Sequence, residues 1–529
     1  FLRTKAVAVE RYGNRITSVL TYGFDSRRWI AFRAAFVLDA TDTGELLPLV
    51  SGPSGVDYVT GAEPRGVTGE PHAPEAADPL DIQTLTYTFV LGRDPAHDHR
   101  LAEPPQYAVH RREQAYGLTI DYGGGKTLTY HVFDKAAGTP GSFWAYRRLV
   151  SADNFHGPAA PREISMVNWP GNDYCGPDFL AGDPARQAEV LRQAKLASLG
   201  FAYWLQTEAP RDDAGAGTGY PELEFQTSQL GSADGLSQFP YVRESRRLKA
   251  LETVREQDIS AQYQKGPRAA PFSDSAGIGD YAIDIHGCSK QDLSLPTKPF
   301  QIPLGALIPF QIENLLAASK DIGTTHITSG AYRVHPVEWA IGEAAGALAD
   351  FALEHNSTPA RIQSDPMLTE QFQAALLERG APVYWFDDLE PGDLVFQAAQ
   401  LLAVRGIFEP SRSTLHFGPK QPLTRADAVR AVAQALDLMP PKPPGAAVPP
   451  VAVQTRIALQ SLIDAGYLPP TFADENPMAG GLLWPDLSPV CEKTGVEPPL
   501  DQGTFHPATR AAFAVWLWDL RRRKAGAMR

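Results

Sequence analysis

A short segment in the second half of the chain is rich in side chains that could do chemistry. His326, Arg333 and His335 lie close together there, among the hydroxyl and carboxyl side chains of Thr324, Thr325, Thr328 and Glu338. A histidine can take the proton from a substrate hydroxyl, and an arginine can hold a substrate oxygen. We therefore take His326, Arg333 and His335 as candidate catalytic residues. The alternative, that these groups only cap an ordinary buried strand and helix, is equally consistent with the composition.

Two elements must position these side chains. The apolar run Leu315–Ala318 has the length of a short buried strand. A polar turn, residues 319–323, follows it. The small residues at 341–347 predict a helix that can pack closely on a sheet or a flat ligand. The N-terminus of this helix, near Val334–Val337, would present free N–H groups and a positive dipole end, which suit an anionic or electron-rich ligand atom.

The start of the chain predicts β-structure. Ala6–Val9 and Ile16–Thr21 flank a turn at residues 12–15 and predict a hairpin. An apolar strand, Trp29–Asp39, follows and runs into a polar loop at residues 40–46. Thr41 or Asp42 could simply cap a helix at that point. Further along, Arg186–Gln206 predicts one long helix.

A set of motifs resembles one bacterial family of FAD-dependent oxidoreductases, within the two-dinucleotide-binding-domain flavoprotein superfamily. The resemblance covers Phe1 to about Glu354, and its motifs are DATDTGEL, TGEPHAP, NWPGNDY, YWLQTE, GYPEL, RESRR, DSAGIGDY, IPLGALIP and IGTTHITSGAYRVHPVEWAIGEAAGA. In this superfamily a strand that ends in a Gly-acid turn contacts the ribityl chain of FAD, and the next helix points its N-terminus at the flavin ring. Here the turn reads Ser319-Lys320-Asp321.

The resemblance implies FAD as cofactor and hydride transfer from a small polar organic substrate to FAD. It implies an α/β fold with an incomplete Rossmann-like FAD-binding domain and an α+β substrate domain, followed by small, mainly helical repeats. The implied domains are 1–60 with 300–356 for FAD and 61–299 for the substrate. The implied cofactor-binding residues are Ala40, Thr41, Asp42, Gly44, Lys320, Asp321, Ile322, Gly323, Thr324, Val334 and His335.

The superfamily's first FAD signature, Gly-x-Gly-x-x-Gly between a strand and a helix, is not found in that context. Gly277–Ala282 matches the weaker Gly-x-Gly-x-x-Ala form, but no helix pattern follows it. We interpret it as a chance match. We expect the first βαβ unit to precede Phe1 in the full protein.

The C-terminal part resembles S-layer homology repeats, which anchor proteins to cell walls. Thr424-Arg425-Ala426 and Thr509-Arg510-Ala511 are its best markers. The predicted boundaries are 380–440 for a first repeat, 441–450 for a Pro-rich linker and 451–529 for a second, degraded repeat. Arg425 could contact an anionic wall polymer or form a structural ion pair.

Composition and charge limit the classes of binding partner that the sequence supports. A net charge of −13 argues against nucleic-acid binding, and no run of 18 apolar residues predicts a transmembrane helix. Cys175, Cys288 and Cys491 predict neither a disulfide framework nor a zinc site, and no other metal site is predicted. The expected partners are a small-molecule substrate and, through residues 380–529, cell-wall polymer or other envelope components. A homo-oligomer is left open.

Two functions remain open on the sequence alone. The first is an FAD-dependent oxidoreductase attached to the cell envelope by its C-terminal repeats. The alternative is a non-catalytic envelope or S-layer-associated structural protein that keeps a flavoprotein fold. The expected location is the cell envelope or the exterior if the repeats are S-layer homology modules, and the cytoplasm otherwise.

Overall fold

The computed structural model describes residues 1–50, 56–114, 116–122, 126–157, 161–177, 179–180, 183–213, 217–287, 292–411, 413–439, 449–472, 478–499 and 507–527. The chain forms two compact units. The first comprises residues 1–260, 281–297 and 309–338, and the second comprises 261–280, 298–308 and 339–529. These units group the residues differently from the four predicted domains, whose boundaries stay predictions.

The predicted N-terminal hairpin is confirmed. Strands β1 (Thr4–Tyr12), β2 (Arg15–Gly23) and β3 (Arg28–Phe32) form an antiparallel meander, and Tyr12 pairs with Arg15 across a two-residue turn. Gly13 has φ +61° in that turn, a conformation that glycine adopts without strain.

The single strand predicted for residues 29–39 is wrong. β3 ends at Phe32, and a separate strand, β4 (Val37–Asp39), pairs in parallel with β19 (Leu315–Ala317). The Nδ2 of Asn314 donates to the backbone oxygens of Ile16 and Ala35, both at 3.0 Å. The chain therefore leaves the hairpin at Ala35 because its next partner is β19. The predicted strand at 315–318 is confirmed to within one residue.

The rest of the first unit is built from short strands and helices. The remaining strands are β5 (Tyr58–Val59), β6 (Leu85–Thr86), β7 (Phe89–Arg93), β8 (Thr119–Asp121), β9 (Thr127–Thr129), β10 (Arg148–Val150), β11 (Ile164–Val167), β12 (Leu223–Phe225), β13 (Tyr241–Val242), β14 (Arg247–Leu248), β16 (Ile283–Ile285) and β17 (Leu293–Leu295). The helices are α1 (Leu46–Val50), α2 (Arg65–Thr68), α3 (Tyr107–Glu113), α4 (Phe143–Tyr146), α5 (Pro184–Thr207), α6 (Glu256–Ile259) and α7 (His326–Tyr332), with 3₁₀ turns at Ala152–Asn154 and Pro170–Asn172.

The largest sheet of this unit has the order β10-β11-β7-β12 and is antiparallel throughout. The other strands pair in twos, β13 with β6, β14 with β5, β16 with β17 and β8 with β9. α5 confirms the predicted long helix. It begins where Asp183 accepts the N–H of Arg186, with Pro184 at the first helical position. Aromatic side chains from α5, the sheet and the segment after β11, Phe201 and Trp169 among them, form an apolar core.

The second unit is mainly helical. Its strands are β15 (Ser275–Gly279) and β18 (Phe300–Pro303), and a 3₁₀ turn lies at Leu304–Leu307. Its helices are α8 (His335–Glu354, whose first four residues belong to the first unit), α9 (Pro359–Ser364), α10 (Pro366–Glu378), α11 (Phe396–Val404), α12 (Arg425–Ala435), α13 (Val451–Asp464), Ser488–Thr494 and Arg510–Ala527, with a 3₁₀ turn at Trp484–Leu487. The mixture of helices and strands fits the predicted α/β class.

The predicted repeat elements fall on helices of this unit. Thr424 caps α12 by accepting the N–H of Asp427 at 3.1 Å, and the next marker residue, Arg510, begins the last helix. Arg425 Nε lies 2.6 Å from Asp486, with both side chains largely buried, so the structural ion pair is the role that the geometry gives Arg425. Residues 441–448 of the predicted linker, and residue 440 before it, lie outside the described residues. No described helix is long and apolar enough to cross a membrane.

Candidate active site

The carboxyl edge of the β4–β19 pair is the centre of the candidate site. In the parallel register Ala317 lies beside Asp39, and both chains turn away just beyond these residues. Ligands of α/β proteins bind at such edges, because the turns that follow the strands leave polar groups there. Asp39 and Asp321 both occupy this edge and are both fully buried.

Asp39 holds the loop that follows β4. Its Oδ1 accepts the backbone N–H of Thr41 at 3.0 Å and the hydroxyl of Thr41 at 2.6 Å, and its Oδ2 accepts the N–H of Leu46 at 3.0 Å. Burial raises the pKa of Asp39, although these hydrogen bonds oppose the shift. Of the predicted cofactor residues in this loop, Ala40 is exposed, Thr41 and Asp42 are half-buried, and Gly44 is buried with φ +61°.

Asp321 and Thr324 carry buried polar atoms with no partner. Asp321 Oδ1 accepts the N–H of Ser319 at 3.2 Å, but Asp321 Oδ2 and Thr324 Oγ1 have no hydrogen-bond partner among the described residues. Burial, followed by the nearby Asp39 carboxyl group, raises the pKa of Asp321 well above its ordinary value. An unpaired buried polar group costs about 1–3 kcal/mol, so a ligand with hydrogen-bonding groups would stabilise this loop. Ile322 and Gly323 are buried beside them.

Lys320 links three segments around this edge. Its Nζ lies 2.9 Å from Glu338, at the start of α8, and also contacts Asp42 in the loop after β4. Burial lowers the pKa of Lys320, but the two carboxylates raise it more, so the net shift is upward. Lys320 is therefore a buried cation at neutral pH.

His326 lies in a buried ionic cluster. It is the first residue of α7, where Thr325 accepts the N–H of Thr328 at 3.1 Å as the N-cap. His326 Nδ1 lies 3.0 Å from Glu244 Oε2, and its backbone N–H donates to Glu63 at 2.9 Å. Its Nε2 has no hydrogen-bond partner among the described residues.

Arg247 completes this cluster. It contacts Glu244 and pairs with Glu63 at 2.9 Å. Burial raises the pKa of Glu244, but the charges of His326 and Arg247 lower it more. Burial lowers the pKa of His326, and Glu244 raises it more. The pair therefore favours an imidazolium next to a carboxylate.

Arg333 lies in a second cluster. Its Nη1 donates to the hydroxyl of Tyr241 at 2.8 Å, and its Nη2 donates to Asp284 Oδ2 at 2.8 Å. His286 bridges Asp284 to Asp173, with Nε2 at 3.1 Å from the first carboxylate and Nδ1 at 2.6 Å from the second. Burial lowers the pKa of His286, but the two carboxylates raise it more.

The structure therefore places the three predicted catalytic residues in three different surroundings. His326 belongs to the Glu244 cluster, and Arg333 belongs to the Asp284 cluster. His335 is exposed, with its ring 6.1 Å from that of Tyr241, and Val334 beside it is half-buried. Gln83 and Thr84 connect the clusters. Gln83 donates its backbone N–H to Glu244 at 3.0 Å, and Thr84 accepts from Arg243, which pairs with Asp173 at 2.9 Å.

A cavity of about 70 Å³ opens beside Glu244. Its lining combines apolar side chains with four polar ones, and has no basic side chain among the described residues: Leu80, Ile82, Gln83, Thr84, Leu85, Tyr174, Cys175, Gly176, Pro177, Phe179, Leu180, Val242, Glu244 and Gly287. Gln83 Oε1 is buried and has no hydrogen-bond partner among the described residues. The cavity therefore offers hydrogen-bond acceptors next to apolar side chains.

The cysteine prediction needs a correction. Cys175 is disulfide-bonded, whereas the sparse spacing of the cysteines predicted no disulfide framework. Spacing along the chain does not report which distant segments the fold brings together. Cys491 is a free, buried thiol, and Cys288 lies outside the described residues.

Several residues of these clusters were not predicted from the sequence. Asp39, Gln83, Glu244, Asp284 and His286 were missed as site residues. The motif RESRR, Arg243–Arg247, carried the one available signal, since charges next to the apolar Val242 and Leu248 can mark buried ion pairs. No comparable signal marks Gln83.

One family model matches the chain. It is described as FAD dependent oxidoreductase and covers residues 1–376. No curated protein and no solved structure shows significant similarity to the chain. The family match favours the enzyme over the non-catalytic alternative.

The residues at the strand edge fit the flavin end of FAD. Asp321 Oδ2 and Thr324 Oγ1, the unpartnered buried atoms, suit the hydroxyl-bearing ribityl chain. Gly277-Ile278-Gly279 lies within β15, and the next element is a strand, so this sequence is confirmed as a chance match to the diphosphate fingerprint. From the family match over more than half its length, the chain belongs to the FAD-dependent oxidoreductase family and is an enzyme whose cofactor is FAD.

Proposed function

We propose that the enzyme oxidises a small polar organic substrate, which binds in the cavity beside Glu244 and gives up a hydride. The observation that carries this proposal is the double role of Glu244, which lines the cavity and holds His326 Nδ1 at 3.0 Å. FAD, when bound, accepts the hydride. The residues at the β4–β19 edge, with Lys320 and the N-terminus of α8, hold the cofactor.

His326 is the proposed proton acceptor. Oxidation of an alcohol or amine removes a proton from oxygen or nitrogen as the hydride leaves carbon. Glu244 fixes Nδ1 of the imidazole as the protonated nitrogen, which leaves Nε2 as the atom that can accept a proton. The pKa of His326 is raised, so the neutral, accepting form increases as the pH rises through that value. The pH profile of kcat/KM should therefore rise with an apparent pKa above 6.5, the ordinary histidine value.

The cavity lining points to a substrate class. Gln83 Oε1 and the Glu244 carboxylate can accept hydrogen bonds from a ligand, and apolar side chains from Leu80, Phe179 and Val242 complete part of the lining. A neutral or cationic molecule with a hydroxyl or amine suits this lining. A carboxylate or phosphate would bring a second negative charge close to Glu244, with no basic side chain among the described lining residues.

Arg333 is proposed as a positioning residue. Both of its terminal nitrogens already donate to Tyr241 and Asp284, and only Nε has no partner among the described residues. It holds β16 against the end of α7 and contributes positive charge close to the start of α8. His335, exposed at that helix start, stays a proposed cofactor contact.

The test is anaerobic reduction of the bound flavin, followed by its absorbance. A panel would pair primary and secondary alcohols and amines with hydroxy acids and amino acids, which carry the same reacting group and an added carboxylate. We expect bleaching by members of the first set and none by the acids. The Gln83→Leu variant should raise KM by about tenfold with kcat changed less, since it removes one acceptor. Reduction by the carboxylates alone would refute the assigned substrate class.

A matched pair of variants separates the two histidines. His326→Gln should lower kcat by about 100-fold and abolish the rise of kcat/KM with pH. His335→Gln, at an exposed position beside Tyr241, should leave that rise in place. Equal loss in both variants, with the pH profile unchanged, would remove His326 from the proton-transfer step.

Attachment to the cell envelope is proposed from the sequence resemblance of residues 380–529. The repeated Thr-Arg-Ala sequences support it. Since Arg425 is engaged by Asp486, another side chain must supply the polymer contact. Co-sedimentation of the full chain with isolated cell envelope, compared with an unrelated protein of similar net charge, tests the proposal. Equal sedimentation of both proteins would contradict it.

A further inference from the structure

The loop that follows β7 brings three metal-ligating side chains to one point. Asp94 Oδ2 lies 2.9 Å from His97 Nδ1 and 3.0 Å from His99 Nε2. The three ligand atoms all lie within 4.8 Å of one another. None of these residues takes part in the clusters around Glu244 or Asp284.

Backbone hydrogen bonds fix this loop to the turn just before β12. Asp94 donates its N–H to the oxygen of Glu222 at 2.9 Å, and His99 donates its N–H to the oxygen of Pro221 at 2.8 Å. The N–H of His97 returns to the oxygen of Asp94 at 3.2 Å. Both ends of the loop are therefore held, and the two imidazoles face one carboxylate oxygen without a large rearrangement.

We propose that Asp94, His97 and His99 bind one divalent transition-metal ion, with Zn²⁺ as the reference ion. Metal–nitrogen and metal–oxygen bonds of about 2.0–2.2 Å in a tetrahedron separate the ligand atoms by about 3.3 Å. The two separations from Asp94 Oδ2 need to grow by only a few tenths of an ångström, and the two histidine nitrogens lie within 4.8 Å of each other. Two imidazoles and a carboxylate select zinc-like ions over Mg²⁺ and Ca²⁺, which prefer oxygen ligands.

Exposure leaves room for a further ligand. The Asp94 side chain is 12% exposed and that of His99 is 24% exposed, whereas that of His97 is 70% exposed. The metal would thus be anchored from the inside by Asp94 and His99 and closed from the solvent side by His97. With three protein ligands, the fourth position of a tetrahedral site belongs to water.

The surrounding charges are compatible with a cation. Arg162 Nη1 lies 3.5 Å from Asp94 Oδ2 and 3.2 Å from Glu224 Oε2. When Asp94 binds the metal, Arg162 can therefore remain paired with Glu224. Asp98 forms an ion pair with Arg100. Glu222 is paired with Arg211 at 3.0 Å.

A second cluster in the chain provides a control. Asp387, Asp388 and His416 also place ligand atoms within 4.8 Å of one another. The two oxygens of Asp388, however, accept the backbone N–H groups of Phe417 at 2.7 Å and Gly418 at 2.8 Å. A metal bound by Asp388 would compete with at least one of these backbone hydrogen bonds, so we expect the second cluster to bind metal more weakly than the first.

The test is calorimetric titration of the chelator-treated, full-length protein with ZnCl₂, and with MgCl₂ for comparison. We expect one Zn²⁺ per chain with a Kd in the micromolar range or below, and no binding of Mg²⁺. His99→Ala and His97→Ala should each weaken Zn²⁺ binding at least about tenfold, and His416→Ala should leave it unchanged. Co²⁺ in place of Zn²⁺ should give the visible bands of a tetrahedral site.

Three results of these titrations would overturn the proposal. Absence of saturable Zn²⁺ binding by the wild-type chain overturns the proposal, as does unchanged affinity in the His97→Ala variant. Because the His97 side chain is largely exposed, its removal does not threaten folding, and this variant decides the matter if His99→Ala fails to fold. Loss of binding in His416→Ala alone would move the site to the second cluster and also overturn the proposal.

Discussion

Replacement of Glu244 by glutamine tests the buried ionic cluster most directly. The variant keeps the shape of the side chain but removes the charge that faces both His326 and Arg247. Loss of one partner from a buried ion pair costs about 3–5 kcal/mol. Since Arg247 keeps Glu63 at 2.9 Å, we expect the free energy of unfolding to fall by about 3 kcal/mol, at the lower end of that range.

The pH dependence of this loss has a definite sign. Burial raises the pKa of Glu244 and the neighbouring cations lower it more, to below its ordinary 4.5, so its stabilisation is present above pH 4.5 and is lost as the pH falls through the folded value. The pKa of His326 is raised above 6.5, so its stabilisation is present below pH 6.5 and is lost as the pH rises through the folded value. The difference between wild type and Glu244→Gln should therefore be largest between about pH 4.5 and 6.5.

Urea unfolding followed by tryptophan fluorescence, repeated at several pH values, measures this difference. Glu113→Gln is the matched control, because Glu113 forms an exposed ion pair with Arg112, and it should change the free energy of unfolding by less than about 1 kcal/mol. A Glu244→Gln variant as stable as the control would refute the reasoning. A large loss that is independent of pH would refute the charge assignment of His326.

Three further predictions concern other parts of the chain. Asp321→Asn should weaken FAD retention at least about tenfold, measured as flavin released on dilution. The substitution replaces one of the two carboxyl oxygens, of which Oδ2 has no partner among the described residues, by an NH2 group that can only donate. The same variant should be more stable than wild type without flavin at pH 7 and lose this advantage below about pH 4, since a raised carboxyl pKa destabilises the fold only where the unfolded chain ionises. Asp486→Asn should lower the stability of the C-terminal helices by about 3 kcal/mol, seen as a shifted urea transition, since Arg425 loses its largely buried partner.

Local patterns in the sequence predicted much of the fold. The hairpin β1–β2, the strand β19 and the helix α5 each follow from a period or a turn signal within about 25 residues. The prediction of one strand at 29–39 was wrong, because nothing in those residues shows that the chain leaves β2 and pairs next with β19. The contact that marks this change is the hydrogen bond from Asn314 to the backbone oxygen of Ala35, and Asn314 is far away in the sequence. A local pattern predicts an element, but pairing decides where the element ends.

The candidate site, too, could be predicted only in part from the sequence. His326 and Arg333 could be found because they lie in one segment with a strand and a helix on either side. Glu244 meets Gln83 across 161 positions of sequence, and Arg333 meets Asp284 across 49. No spacing rule relates residues so far apart, so the cluster partners could be identified only from the tertiary structure.

The β4–β19 pairing also sets an order of events during synthesis. Lys320 is 278 residues beyond Asp42, its partner across this edge. At the usual elongation rates of about 5–20 residues per second, β4 must wait on the order of tens of seconds for β19 to leave the ribosome. During that interval the edge of β4 is an open template for other strands. We therefore expect the nascent chain to depend on chaperones over this interval, and the β4–β19 edge to be among the last parts of the first unit to form.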